Sequence, residues 1–298
     1  MPSNEQRRAA AKRKLERQIA RRAERARRRK QLTIAGSVLG VVVVVAAGVG
    51  IYYLTHNDDN SKSSAAASTT SSDPSLSNSP QAAPPPKPNP RAATVSCTYR
   101  DGGEVSKKVD KPQTAGVATT GSPKISIDST QGPIGITLNP AEAPCTVNSF
   151  VSLVKQHFFD NAPCHRLSTE GLKMLQCGDP TGTGKGGPGY EFDNEYPTDQ
   201  YAKDDQAAQN PVLYKRGVVA MANAGPDPSG GGTNGSQFFL IDGDSPLPPQ
   251  YTIFGTVDAA GLKTLDKIAA GGDDHSMDSS AGGGKPTLPV TFKTVTVG

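Results

Sequence analysis

The chain has 298 residues, enough for one or two domains, yet only 35 % are hydrophobic, 5 % are aromatic and none is tryptophan. Glycine and proline, 32 and 25 residues, are well above their usual combined share of about 12 %, which excludes a single domain using the whole length. The net charge of +4 averages unlike parts: residues 1–31 carry 13 Lys/Arg and 3 Asp/Glu, the remaining 267 carry 19 and 25, so a uniformly basic nucleic-acid-binding protein is excluded.

Residues 1–31 form a basic arm of repeated Arg/Ala/Glu units. It reads as a topology signal that can rest on anionic lipid headgroups, and no nucleic acid is favoured, because a lone charge run is weak evidence for one. Residues 32–54 are 23 uncharged, mainly apolar positions. As a helix they reach about 34 Å, enough to cross a hydrocarbon layer of about 30 Å. Tyr52 and Tyr53 sit at the far end, and Asp58 and Asp59 follow. The positive-inside bias then puts the N-terminus in the cytoplasm and everything later outside, as a single-pass protein of the cell membrane. A cleaved signal peptide fits less well, because its apolar region runs to about 7–15 residues with a small-residue site close behind. Here the first such run, Ala65 to Ala67, lies eleven residues beyond the span.

From 55 to 94, Ser, Thr, Pro, Ala and Asn supply 31 of 40 residues. Such a segment has nothing to bury, and it is expected to be a disordered linker, roughly 35 Å across as a coil. Residues 95–122 are a lead-in with no clear pattern, containing Cys97. Globular patterning covers 123–298. Ile125 and Ile127 alternate, Thr130-Gln131-Gly132 marks a turn, and Ile134, Ile136 and Leu138 alternate again, predicting a hairpin. Val147, Phe150, Val151 and Val154 have helical spacing, with Thr146 as the expected N-cap. A second helix runs through Leu262, Leu265, Ile268 and Ala269 and stops at Gly271-Gly272. Residues 290–297 read as a closing strand whose alternation slips between Phe292 and Val295. Few helices and many short strands predict a mainly β barrel or sandwich with two flanking helices.

All four cysteines (Cys97, Cys145, Cys164, Cys177) fall on the outer side, where disulfides persist. Cys164 and Cys177 can pair if they occupy adjacent antiparallel strands, leaving Cys97 for Cys145, but sequence does not choose among the three connectivities. A zinc site from Cys164, His165, Cys177 and His157 matches no defensible ligand spacing, and no metal or cofactor is expected. Residues 182–187 satisfy GxGxxG, yet Pro188 and Gly189 follow where a dinucleotide loop would open a helix, so a surface loop is the better reading. Asn234-Gly235-Ser236 matches a glycosylation sequon, but its neighbours suggest another use.

Those neighbours form three segments. The first is Cys164-His165-Arg166-Leu167 leading to Met174-Leu175-Gln176-Cys177-Gly178-Asp179. The second is Met221-Ala222-Asn223-Ala224-Gly225-Pro226 continuing to Asn234-Gly235-Ser236-Gln237-Phe238-Phe239. The third is Tyr251-Thr252-Ile253-Phe254-Gly255. In this order they resemble the cyclophilins, over 123–298, with an apparent insertion around 197–214; the layout is similar to membrane-anchored forms of bacterial envelopes. The resemblance implies an eight-stranded antiparallel β-barrel with two flanking helices, here preceded by a transmembrane helix and a linker. It also implies a prolyl isomerase acting on proline-containing polypeptides exported to the envelope.

By the same resemblance Arg166 is the catalytic arginine, and Gln176 and the backbone at Asn223 hold the substrate's carbonyls and amides. Met174, Phe239 and Leu247 line a pocket for the proline ring, with Ala222 and Gln237 beside it. The family's pocket phenylalanine falls on Lys173, its tryptophan on Pro246 and its histidine on Tyr251, which keeps an aromatic wall. Two more residues than usual separate Arg166 from Gln176. Loss of the tryptophan implies weakened cyclosporin binding. His165 is expected to pack or orient a loop. Two other readings stand beside the enzyme: a proline-segment-binding chaperone or adaptor with little turnover, and a scaffold acting through the basic arm.

Overall fold

Alternating apolar residues build one sheet that curls back on itself. The computed structural model describes residues 82–298 apart from 203–204 and 228–229. The readings of residues 1–31, of 32–54 and of the linker up to 81 lie outside the described residues. Among the described residues no helix is long and apolar enough to cross a membrane.

Strands β1 (Lys124–Ser129) and β2 (Gly132–Leu138) make the expected hairpin, with Ile125, Ile127, Ile134 and Ile136 buried. Helix α1 (Pro144–Lys155) follows, then β3 (Ala162–Pro163), β4 (Arg166–Ser168), β5 (Met174–Cys177), β6 (Val218–Met221), β7 (Phe238–Ile241) and β8 (Ile253–Val257). Helix α2 (Ala259–Ala270) and β9 (Thr291–Val297) complete the chain. The strand order is β3-β9-β1-β2-β8-β6-β7-β5-β4, with every pair antiparallel. The two end strands are neighbours in the chain, separated only by Cys164 and His165, so the sheet closes. Nine strands stand where eight were expected because residues 162–168, one run of chain, pair with β9 at one end and with β5 at the other. In β9 a register shift between Phe292 and Thr294 lets Phe292 and Val295 both face inward, which is the slip seen in the sequence.

Phe150 of α1 meets Phe159, Phe238 and Phe254 with ring centroids 5.0, 5.1 and 5.2 Å apart, so the helix is anchored by aromatic packing on the barrel core. Thr146, expected from the sequence to be its N-cap, does not cap it. Ala143 holds the N-cap position, and the orphan amides of Cys145 and Thr146 donate to the carboxylate of Glu195 at 3.1 and 2.8 Å. The Thr146 hydroxyl donates to the same carboxylate at 2.7 Å. A buried carboxyl from a distant loop does what a local cap does elsewhere; burial raises its pKa, opposed by the bonds from Thr146 and Cys145.

The lead-in is ordered. Cys97–Cys145 ties it to α1 with a Cα–Cα distance of 5.5 Å. Arg100–Asp101 pairs with Tyr190–Glu191, Glu104–Val105 pairs with Gly186–Gly187, and Tyr99 packs edge-on against Tyr190 and Phe192. The last residues of the expected linker are also laid on the barrel. Ala83 bridges to Val212, Tyr196 donates its hydroxyl to Pro86 O at 2.8 Å, and Arg91 pairs with Asp199. These are mostly polar contacts made by Tyr196 and by the 197–214 insertion, so the composition of the linker carried no sign of them.

Candidate active site

Because side chains alternate along a strand, the sheet sorts its residues into two apolar clusters. Leu167, Leu175, Cys177, Phe238, Leu240, Val219 and Phe254 point into the barrel core. Their chain neighbours point outward. Register places Arg166 opposite Gln176, Gln176 opposite Phe239, Phe239 opposite Ala220 and Ala220 opposite Ile253. Met174 and Ile241 form the adjacent row. Met174, Phe239, Ile241, Ala220 and Ile253 are buried in an outer cluster, against which Leu247, Ala222 and Tyr251 pack half-exposed. Phe239 and Tyr251 meet edge to face at 5.7 Å. All five apolar residues expected around a proline ring therefore share one patch.

Arg166 lies at its border. Its Nε donates to Gly282 O at 2.9 Å, its Nη2 donates to Ala281 O, and its Nη1 donates to Gln176 Oε1 at 3.3 Å. Burial lowers its pKa and the neighbouring Tyr251 raises it. A guanidinium can only donate, so Gln176 must turn its oxygen to Arg166 and its Nε2 to Gln237 Oε1, 3.1 Å away. Gln237 Nε2 must then donate to the carbonyls of Gly184 and Gly186, at 3.0 and 3.2 Å. One proton of the Gln176 amide remains for a bound peptide carbonyl.

The GxGxxG loop anchors the far end of this relay, and its anion is internal. The amides of Thr181, Gly184, Thr183 and Gly186 donate to the fully buried Asp179 carboxylate at 2.8, 2.8, 3.1 and 3.1 Å. Burial raises the Asp179 pKa, but these bonds outweigh it and hold the carboxyl below the usual range. Gly178 precedes the loop at φ +96°, where a Cβ would sit 2.3 Å from Ser236 O, so only glycine fits.

The Asn223 side chain is committed inside the fold. Its Nδ2 is taken up by Gln250 O, Asn194 Oδ1 and Asn234 Oδ1 at 2.9, 3.2 and 3.3 Å. Asn234 of the sequon is fully buried and donates to Asn194 Oδ1 at 2.8 Å, which is its structural use. His165 is buried with its pKa lowered by burial, and its ring packs against Gly184.

The alignment placed Lys173 at a pocket position, but its side chain is exposed and lies along Gly243, while the adjacent Leu172 packs on the outer cluster. Pro246 is exposed on a short strand, Ser245–Leu247, paired with Val212–Tyr214 of the insertion. Tyr196, Val212 and Tyr214 from that region are buried in the outer cluster. Sequence reading missed them because an insertion has no counterpart in the motif. Phe239 and Ile241, two apart, were the signal that the cluster extends along β7.

The loop holding Arg166 is itself pinned to β4: Leu167 N donates to Gly284 O at 2.8 Å and Gly284 N donates to Leu167 O at 2.9 Å. Gly283, at φ +71°, would bring a Cβ within 2.1 Å of Leu167 O. Gly283→Ala is expected to displace the Ala281 and Gly282 carbonyls and lower kcat about tenfold with little change in KM, read by steady-state isomerisation.

Asp242 follows β7, and its Oδ1 is buried without a hydrogen-bond partner among the described residues. Burial pushes its pKa from 3.8 up to about 6, partly opposed by its own backbone amide and by Lys173. The folded state thus binds this proton more tightly than the unfolded chain. The resulting stability is complete below about pH 4 and is lost as pH rises through about 6. Asp242→Asn should melt above the wild type at pH 7.5, and the difference should close by pH 4 in thermal unfolding followed by circular dichroism.

A closed antiparallel barrel with an outward apolar patch bordered by a fixed guanidinium and two amides is a peptide groove, and the family model described as "Cyclophilin type peptidyl-prolyl cis-trans isomerase/CLD" matches residues 124–297. The chain belongs to the cyclophilin-type peptidyl-prolyl cis-trans isomerases and is an enzyme of that activity. It is 54 % identical over 301 residues to "Probable peptidyl-prolyl cis-trans isomerase B" of Mycobacterium leprae, covering 99 % of each chain. A protein of the same name from Mycobacterium tuberculosis is 53 % identical over 301 residues, covering 99 % of this chain and 93 % of that one. "Peptidyl-prolyl cis-trans isomerase A" of Mycobacterium tuberculosis is 38 % identical over 189 residues, covering 57 % and 90 %.

Proposed function

We propose that Arg166 drives isomerisation by stabilising the twisted X–Pro amide, and that the clients are exported or envelope proteins met near the membrane. An X–Pro bond prefers trans by only about 0.5–1 kcal/mol, yet amide resonance sets a barrier of roughly 18–20 kcal/mol. Twisting the bond returns a lone pair to the prolyl nitrogen, which a planar amide lacks. A guanidinium proton aimed at that nitrogen therefore binds the transition state and not the ground state. The observation that carries this reading is the Arg166 fork, held by two main-chain carbonyls and Gln176 at the border of the Met174, Phe239, Leu247 and Tyr251 patch. Gln176 Nε2 and the main chain at Asn223 hold the peptide in register, and Ala222 and Gln237 flank it.

The membrane location rests on residues 32–54 as the anchor and the basic arm 1–31 on anionic headgroups. The two disulfides, Cys97–Cys145 and Cys164–Cys177, support an oxidising compartment for the domain. Pro246 at the tryptophan position supports weak cyclosporin binding.

Exchange NMR on an Ala-Pro peptide with the intact protein in detergent tests the reading. Exchange faster than in the peptide alone is expected. Binding without faster exchange would leave a proline-segment adaptor instead. Loss of membrane association on deleting residues 1–31 alone would contradict the anchor.

A further inference from the structure

The loop between α2 and β9 holds the Arg166 fork through the carbonyls of Ala281 and Gly282. Upstream it gathers Asp273, His275 and Asp278, whose ligating atoms all lie within 4.8 Å of one another. Nothing in the isomerase reading uses these three. They face a cavity of about 260 Å³, whose other walls are residues 168–170 and Gly282 and Gly283 of the loop itself. The Asp273 side chain is only 2 % exposed, yet it makes a single hydrogen bond. Its Oδ1 accepts from His275 N at 2.9 Å, and its Oδ2 has no partner among the described residues. A carboxylate so deeply set, with one oxygen unsatisfied on a cavity wall, calls for a ligand there.

Asp278 is half committed in the same way. Its Oδ1 accepts from Gly283 N at 3.1 Å, and its Oδ2 lies 3.3 Å from His275 Nδ1, which lies 3.6 Å from Asp273 Oδ1. These spacings separate two readings. An imidazolium between two carboxylates draws charge-assisted bonds of about 2.7–2.9 Å, and neither contact is that short. Ligand atoms held about 2.0–2.1 Å from a tetrahedral ion lie about 3.3 Å apart, close to the spacing found. One imidazole with two carboxylates, and a fourth position open to the cavity, suits Zn²⁺ better than Mg²⁺ or Ca²⁺, which take oxygen ligands.

We propose that Asp273, His275 and Asp278 bind one zinc ion, and that this ion fastens the loop whose carbonyls hold Arg166. Asp278 is the link. One of its oxygens meets the ion and the other holds Gly283 N. Gly283 sits between Gly282, whose carbonyl accepts from Arg166 Nε, and Gly284, which pairs with Leu167 through both main-chain groups. His275 binds through Nδ1 as the neutral imidazole, with its proton on Nε2. The site shares no residue with the zinc set weighed from the sequence, both of whose cysteines are taken up in the Cys164–Cys177 bridge.

The test uses the full chain in detergent, stripped with a chelator and titrated with zinc chloride in a calorimeter. One ion per chain is expected. Even the outer-shell partners of metal ligands carry about 10- to 100-fold in affinity, so His275→Ala and Asp278→Asn should each weaken binding at least that much. His157→Ala, which breaks the exposed pair with Asp160, should leave it unchanged. Hydrogen exchange at Gly283 and Gly284 should slow several-fold with zinc in the wild type and not in His275→Ala. No binding, or binding that survives both substitutions, overturns the site; binding without slower exchange overturns the fastening. His275 is 69 % exposed, so its loss leaves the core intact. Should the variants still misfold, acylation of the wild type by diethyl pyrocarbonate decides. Zinc should protect His275 and not His157, and equal reactivity with and without zinc overturns the proposal. None of these readouts depends on turnover, so failure of the isomerase reading would leave the site standing.

Discussion

Replacing Arg166 with alanine is expected to lower kcat/KM for an Ala-Pro peptide by about 10²- to 10³-fold while the protein stays folded. The size follows from losing one oriented donor to a charge that develops only in the transition state, about 2.7–4 kcal/mol in a partly desolvated site. The fold tolerates the loss because Arg166 is half-buried and its partners, Ala281 O, Gly282 O and Gln176, lie where water can replace it. Arg166→Lys should recover little. An ammonium keeps the charge, but it cannot engage two carbonyls and Gln176 while still pointing a proton at the prolyl nitrogen. Exchange NMR gives the rate and peptide titration gives the affinity. A variant with near-wild-type exchange would end Arg166's role, and one that loses affinity and rate alike would make it a ground-state binding residue.

Breaking the Cys97–Cys145 bridge, by serine at both positions, should be the largest stability loss of a simple substitution. The bridge closes 48 residues, for which chain entropy alone gives about 4 kcal/mol, or a fall in Tm of about 10 °C. The other bridge, Cys164–Cys177, closes only 13 residues, so its chain-entropy share is smaller, about 3 kcal/mol. Loss of the first bridge should also free the lead-in before the barrel melts. The Arg100–Asp101 and Glu104–Val105 ladders have two residues each and cannot hold against chain entropy alone. Hydrogen exchange should therefore rise at residues 100–106 and at 186–191 more than in β7. Equal protection with and without the bridge would mean that packing of Tyr99 against Tyr190 and Phe192 holds the lead-in by itself.

Much of the barrel was legible because its signals are local. The hairpin of β1 and β2 and the helix at 262–269 follow from spacing and from glycine stops. The slip in β9 was visible as broken alternation, and the structure makes it a register shift. The motif residues Arg166, Gln176, Met174, Phe239 and Tyr251 converge because alternation puts every second residue of β5 and β7 on the outer face. Elsewhere local reasoning failed. Thr146 has the chemistry of an N-cap, yet Glu195, 49 residues away in sequence, takes the helix end. Lys173 fell at a pocket position by alignment, while Leu172 packs there, since the longer connection between β4 and β5 changes which side chain turns inward.

By itself the sequence marked the hairpin, the two helices and the slipped closing strand of the globular region, because alternation, helical spacing and glycine stops need no partner to be read. It carried too the motifs of the family to which the chain belongs. Only the tertiary structure decided the disulfide pairing, the packing of residues 83–91 on Tyr196 and the insertion, and the pairing of the lead-in with residues 186–191. Each of these is a contact between segments tens of residues apart, made by pairing main-chain groups or by a few polar atoms. Such contacts obey no sequence period, and they exist only once the barrel has brought both partners to one face.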